Sequence, residues 1–273
     1  MFAVDDNYAV GAAVAGRSIR MNLLDDTACL RFHVIDGGLS VDVRSSLIDA
    51  LSRLGETQTY IVQDGLVLGD CWRAASRSGG HYTSAILARL HLSEVLPDDV
   101  ERVVYLDADT LVLDDLAQLY ALDLGSAGMG AVINQGSETR CLVIDESARE
   151  YPYGAQPPGY FNSGVLIIDM NKWRADEVTQ QALWLYRRFG LKLHSPDQDI
   201  LNIIFAGRWR SLPAKWNKMI EVHKKYDEHR TSYLTRREGI VHYVGRVKPW
   251  HREFPHRSLL DLYLEYWPAG GPL

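Results

Sequence analysis

Apolar and polar positions alternate along this chain in blocks that read as strand, helix, strand. Phe2-Ala3-Val4 is a very short apolar run that meets Asp5-Asp6-Asn7 at once. Over 8–24, Ala12, Ala15, Ile19 and Leu23 share one face at helical spacing and predict a long helix. Residues 30–35 read as a second strand, 40–54 as a helix with Ser40 at its N-cap, and 59–62 as a third strand. A helix-rich block over 83–95 then leads to Val103-Val104-Tyr105-Leu106, a short apolar run expected to be a strand buried on both faces. The β-α-β-α order predicts an α/β fold with a mainly parallel sheet and helices on both faces.

The second half is less regular. Residues 113–122 read as a short helix capped by Asp114 or Asp115, and 129–133 as a strand. The polar segment 134–158 has little periodicity and is too long for an idle loop in a compact domain, so it reads as a functional loop over the site. An apolar strand over 160–168 carries the inset Asn162-Ser163-Gly164, and a glycine there marks a close approach by a ligand or another backbone. A single amphipathic helix is expected over 171–188. Ser195 and Pro196, at N-cap and N1, open another, placing Asp197 and Gln198 in its first turn. A strand over 239–244 carries His242, and a last helix over 258–267 reads as packing.

Composition narrows the function classes. The 273 residues are 47% hydrophobic and 23% charged, ordinary for a globular chain. A net charge of -6 argues against nucleic-acid or anionic-membrane partners. Cys29, Cys71 and Cys141 are scattered and odd in number, which suggests free thiols in a reducing compartment and no zinc spacing. With no apolar stretch long enough to span a bilayer and no basic-then-apolar N-terminus, a cytoplasmic location is expected.

The candidate chemistry sits where the central strand ends, at Asp107-Ala108-Asp109. Ligands of open α/β sheets bind beyond the carboxyl ends of strands, and two hard oxygen ligands there can hold Mg²⁺ or Mn²⁺ with positions left for phosphate oxygens. The pattern alone is weak, since Asp197-Gln198-Asp199 repeats it and strand-end carboxylates often only solvate a turn. No GxGxxG follows the first strand, which disfavours a dinucleotide site. Asp5, Asp6 and Asn7 suit hydrogen bonds to a base or ribose, or alternatively a helix N-cap.

Taken together, the motifs resemble glycosyltransferase family 8, and most closely the bacterial α-galactosyltransferases and α-glucosyltransferases of lipooligosaccharide assembly. The resemblance rests on Ala3-Val4-Asp5-Asp6-Asn7-Tyr8, the stretch from Arg31 to Asp36, Ala88-Arg89-Leu90-His91-Leu92, Asp107-Ala108-Asp109, Tyr160-Phe161-Asn162-Ser163-Gly164-Val165, the stretch from Asp197 to Asn202, His242-Tyr243-Val244-Gly245 and Lys248-Pro249-Trp250-His251. It covers nearly the whole chain. It implies one glycosyltransferase domain of the GT-A nucleotide-diphospho-sugar transferase fold, with a Rossmann-like central mixed sheet. A nucleotide-sugar half over about 1–112, an acceptor half over about 113–257 and a C-terminal helix and tail over 258–273 follow from it. It also implies a retaining, Mn²⁺-dependent hexosyl transfer from UDP-galactose or UDP-glucose to a hydroxyl acceptor, with Mg²⁺ as the second choice of ion.

The resemblance assigns the metal to Asp107, Asp109 and His242, and the nucleotide-sugar to Asp5, Asp6, Asn7, His81, Arg89, Ala108, Asn162, Gly245 and Lys248. Gln198 and Asp197 are placed at the reacting sugar. A neutral amide is a poor nucleophile, so same-face attack is expected, with Gln198 stabilising positive charge through its carbonyl oxygen. Each residue has a plainer reading: His242 as a core histidine, Arg89 as a surface ion-pair partner, Asp197 and Asp199 as helix-start charges, Trp173 and Trp250 as packing, and His33, His91 and His194 as structural. Asn134 stands where the bacterial galactosyltransferases tend to carry Asp, so their acceptor is not carried over. The long basic, aromatic tail that attaches some relatives to the membrane is also missing, so peripheral membrane contact is not expected. Two rival classes remain. One is a binding module or UDP-sugar hydrolase. The other is a haloacid-dehalogenase-type phosphatase, whose motif requires Thr at position 111, where this chain has Leu111.

Overall fold

The computed structural model describes residues 1–61, 87–134, 159–189, 193, 195–221 and 224–268. His81 and His194, Cys71 and Cys141, and segment 135–158 lie outside them. Strands β1 (Phe2–Val4), β2 (Arg31–Asp36) and β3 (Glu56–Ile61) form a parallel sheet, with Phe2 opposite Val34 and Arg31 opposite Glu56. Helices α1 (Ala9–Asn22) and α2 (Val41–Ser52) make the crossovers. A 3-10 turn over Arg89–His91 runs into the single helical turn α3 (Leu92–Val95).

Central strand β4 (Arg102–Leu106) joins this sheet through Met1, whose nitrogen donates to Val104 O at 2.9 Å while Leu106 N donates to Met1 O at 3.0 Å. On its other side β4 pairs antiparallel with β7 (Phe161–Asp169), β7 antiparallel with β6 (Met129–Ile133), and β6 parallel with β8 (Arg210–Ser211). The sheet is therefore mixed. The expected parallel order holds for β1 to β3 and gives way after β4, because β7 returns beside it in the opposite sense.

The expectation that β4 is buried on both faces is borne out by its alternation. Val103 and Tyr105 pack into one core with Leu166, Ile168 and helices α6 (Val178–Phe189) and α7 (Pro196–Ile204). Val104 and Leu106 pack into another with Val34, Val165 and helices α1 and α2. Each side chain removed from water this way contributes on the order of 1.5–3 kcal/mol. The strand ends at Leu106, and the chain turns out of the sheet at Asp107.

A second small sheet carries the far ligand. Strand β5 (Thr110–Val112) pairs antiparallel with β10 (Ile240–His242), and β10 pairs parallel with β9 (Lys218–Met219). Strand β5 was not expected from the sequence. Helix α4 (Leu116–Tyr120), capped by the Asp115 carboxylate on Ala117 N, is shorter than the helix expected over 113–122. The single helix expected over 171–188 is two, α5 (Met170–Ala175) and α6, broken at Glu177 with φ of 51°. The elbow is held by Trp173 Nε1 donating to Thr179 Oγ1 at 3.0 Å. Helix α8 (Glu228–Thr235) was not expected, while α9 (Arg257–Leu264) overlaps the predicted last helix. Among the described residues no helix is long and apolar enough to cross a membrane.

Candidate active site

Three separate elements deliver the carboxylates and the imidazole to one point. Asp107 and Asp109 flank the turn after β4, and His242 closes β10, which β5 holds beside that turn through the pairing of His242 with Thr110. Ligand atoms of Asp107, Asp109 and His242 lie within 4.8 Å of one another. His242 Nε2 stands 3.7 Å from Asp107 Oδ2 and 3.3 Å from Asp109 Oδ1. Two ligands of one ion, each at about 2.1 Å, can stand up to about 4.2 Å apart, so both spacings to His242 fit a single hard divalent cation. The donor set, two carboxylate oxygens and an imidazole nitrogen, fits as well.

The turn is built with no room to spare. A Cβ on Gly11 of α1 would sit 2.4 Å from Ala108 O, so the helix backbone presses directly on the turn. A Cβ on Gly164 would sit 2.2 Å from His242 Cε1 and 2.7 Å from Asp107 Oδ2. The close approach expected at this glycine is therefore real, and what comes close is the candidate metal cluster.

Arg89 is a buried hub rather than a surface ion-pair partner. At 5% exposure its guanidinium donates to Asp107 Oδ1 at 2.7 Å and pairs with Asp197 Oδ2 at 3.2 Å, while lying 4.5 Å over the Tyr105 ring. Burial works against its charge, but Asp107, Tyr105 and Asp197 outweigh it and push its pKa above the ordinary value. Asp197 also accepts from Ser163 Oγ at 3.2 Å, and burial raises its carboxyl despite Arg89. For Asp109, burial is outweighed by Lys248 and His242, which hold the carboxyl below its ordinary value. Lys248 Nζ contacts Asp109 Oδ2 and donates to Tyr243 O at 2.9 Å.

A chain of amides runs from the cluster to Gln198. His242 Nδ1 meets Asn217 Oδ1 at 2.9 Å, Asn217 Nδ2 donates to Asn162 Oδ1 at 2.8 Å, and Asn162 Nδ2 donates to Gln198 Oε1 at 3.0 Å. Ser163 N donates to the same Gln198 oxygen at 3.0 Å, and Gln198 Nε2 donates to Tyr160 OH at 2.9 Å. Tyr160 OH in turn donates to Asp199 Oδ1 at 2.6 Å, while Asp199 Oδ2 accepts from Ser195 N at 2.9 Å. Asp199 thus caps its helix, as expected of a helix-start charge, and also anchors the far end of the chain. Both lone pairs of the Gln198 oxygen are engaged.

The remaining expected residues are more dispersed. Asp5 accepts from Asn7 N at 3.0 Å, and Asp6 accepts from Ser40 N at 2.7 Å. Ser40 is the N-cap residue of α2 but makes no side-chain cap, and it is its own N–H that Asp6 accepts. Asn7 is exposed. Gly245 has φ of 100° and open space where a Cβ would stand. Trp173 and Trp250 pack as expected. Sequence reasoning missed Asn217, Tyr105 and the anchoring role of Tyr160. Asn217 lies in an unmarked 3-10 turn, and only the pairing of β9 with β10 brings it to His242.

Comparisons with known proteins agree with this geometry. Residues 1–253 match the family model of Glycosyl transferase family 8. General stress protein A of Bacillus subtilis (strain 168) is 29% identical over 276 residues, covering 96% of this chain and 91% of that protein. Lipopolysaccharide 1,2-glucosyltransferase of Escherichia coli is 28% identical over 256 residues, covering 92% of this chain and 72% of that protein. The crystal structure of galactosyltransferase LgtC in complex with donor and acceptor sugar analogs superimposes with a TM-score of 0.72 at 26% identity, covering 98% of this chain and 96% of that one. The fold is that of the GT-A glycosyltransferases, and the chain belongs to glycosyltransferase family 8.

Proposed function

We propose that this chain transfers a hexose, galactose or glucose, from a UDP-sugar to a hydroxyl of a carbohydrate or glycolipid acceptor, with retention at the anomeric carbon. The observation that carries the reading is the convergence of Asp107, Asp109 and His242 at the end of β4. The named activities of the Escherichia coli and LgtC relatives support it. A divalent ion held by these three residues, Mn²⁺ before Mg²⁺, would supply Lewis-acid charge to the departing diphosphate.

The other steps fall to side chains. Arg89 and Asp197 hold each other at the edge of the cluster and would take hydroxyls of the donor sugar, with Asn162 beside them. Gly245 would allow close backbone approach to the diphosphate, and Lys248, held against Asp109 and Tyr243 O, would supply positive charge beside it. Asp5 and Asn7, with Asp6 and His81, would hold uridine and ribose.

Same-face attack is the mechanism we favour, with the leaving phosphate taking the acceptor proton. Asp197 is held by Arg89 and Ser163, and Asp199 by Tyr160 and Ser195, so neither carboxylate stands free as a nucleophile. Gln198, with its oxygen fixed by two donors, would act on developing positive charge through the negative end of an oriented amide dipole. The test is UDP release from a panel of UDP-sugars, with Mn²⁺ and with chelator, without added acceptor. Metal-dependent release from UDP-galactose or UDP-glucose is expected. Failure to bind UDP at all would sink the reading.

A further inference from the structure

The hydrogen-bond directions around Asn162 are fixed by the backbone. Gly164 N–H can only donate, and it donates to Asn162 Oδ1 at 3.0 Å. That oxygen is therefore an acceptor, and the Asn217 group 2.8 Å from it must be the NH₂. It follows that Asn217 presents its carbonyl oxygen to His242 Nδ1 at 2.9 Å, and that Nδ1 must carry the proton. Ser163 N–H fixes Gln198 Oε1 in the same way, which leaves Asn162 Nδ2 as its second donor.

We infer that Asn217 is a positioning residue with two separable tasks. Its oxygen holds the Nδ1–H of His242, so that Nε2 is the ring nitrogen turned toward Asp107 and Asp109. Its NH₂ holds Asn162, and through Asn162 the amide of Gln198. Without the Asn217 oxygen, the tautomer with hydrogen on Nε2 would be favoured, because Asp109 Oδ1 stands 3.3 Å away and would accept that proton's hydrogen bond. That tautomer has no lone pair to offer a metal. Asn217 is 1% exposed, so water does not replace the lost acceptor. Partners of this kind on a ligating histidine typically alter metal affinity by about 10–100-fold.

The second task has a different readout, because Asn162 and Gln198 lie on β7 and α7 rather than on the ligand strands. Asn217→Asp keeps an oxygen for His242 Nδ1–H but removes the donor to Asn162. Asn217→Leu removes both.

The inference rests on the reading of Asp107, Asp109 and His242 as a metal site only for its functional consequences, since the tautomer is a property of the chelated protein. The experiment is ¹⁵N NMR of histidine-labelled, chelator-treated protein, followed by Mn²⁺ titration and UDP-sugar turnover of the variants. Wild type should show His242 protonated on Nδ1, and Asn217→Leu should shift it toward Nε2 and weaken Mn²⁺ about 10–100-fold. Asn217→Asp should keep the wild-type tautomer and Mn²⁺ affinity while kcat falls and KM for the UDP-sugar changes little. An Nδ1 of His242 that carries no proton in the wild type overturns the inference, and this holds even where Asn217→Leu does not fold. Unchanged Mn²⁺ affinity in a folded Asn217→Leu overturns it as well. Wild type with the Nδ1–H tautomer but no Mn²⁺ binding would instead mean that the metal reading has failed and the tautomer assignment stands.

Discussion

Gly164 and His242 touch so closely that a Cβ on the glycine would stand 2.2 Å from Cε1 of the imidazole. The same methyl would reach Asp107 Oδ2 at 2.7 Å. His242 cannot give way easily, being 3% exposed and bonded to Asn217, and the Asp107 carboxylate is held at Oδ1 by Arg89 and Tyr105. Gly164→Ala should therefore push the imidazole out of line with the carboxylates. We expect metal-dependent UDP binding to be lost while overpacking destabilises the fold by about 1–3 kcal/mol. Calorimetric UDP titration and urea denaturation measure the two effects, and wild-type UDP affinity in this variant would contradict the packing account.

Arg89, 5% exposed, lies between two carboxylates. Removing it by Arg89→Ala leaves Asp107 and Asp197 without their shared cation, which should destabilise the protein by about 3–5 kcal/mol in urea denaturation. Arg89→Lys keeps the charge but not the fork that reaches both oxygens, and should recover stability only in part. A loss below about 1 kcal/mol for the alanine variant would mean the pairings carry little net energy.

How much of this was legible in the sequence varies by residue. Asp107 and Asp109 were visible because an apolar run with no polar position ends in them, and β4 is indeed buried on both faces. Gly164 was legible as an interruption in an apolar strand. His242 was not distinguishable from a core histidine by local pattern, because what makes it a ligand candidate is the pairing of β10 with β5, more than a hundred residues apart in sequence. Asn217 gave no signal for the same reason. The break at Glu177 escaped notice because the apolar period continues across it, and only the backbone at φ of 51° separates the two helices.

Gln198 holds Asn162 and Ser163 rather than any of the three candidate metal ligands directly. Gln198→Ala should lower transfer by about 100–1000-fold, the range for loss of one fixed electrostatic group, while UDP affinity stays close to wild type. Turnover and UDP titration on the same preparation check this. A large loss of UDP affinity would place Gln198 in the nucleotide site instead.

His33 gives stability a pH dependence away from the active site. Burial, with help from the Met1 amine and Arg31, lowers its pKa from 6.5 to about 4. Its Nδ1 meets Tyr60 OH at 2.8 Å. Between these two values the unfolded chain binds the proton and the folded chain does not, so stability is full above about pH 6.5 and falls as pH drops toward 4. The loss from this one residue is at most about 3 kcal/mol. Denaturation midpoints of His33→Asn should fall less steeply over this window than those of wild type, and parallel curves would contradict the assignment.

The most direct test of the central claim is calorimetric titration of UDP into wild type and Asp109→Ala, each with Mn²⁺ and with chelator. The account predicts that wild type binds UDP tightly only with Mn²⁺, and that Asp109→Ala binds it weakly in either condition. UDP affinity in wild type that chelator does not change would contradict the assignment of Asp107, Asp109 and His242 as the metal ligands.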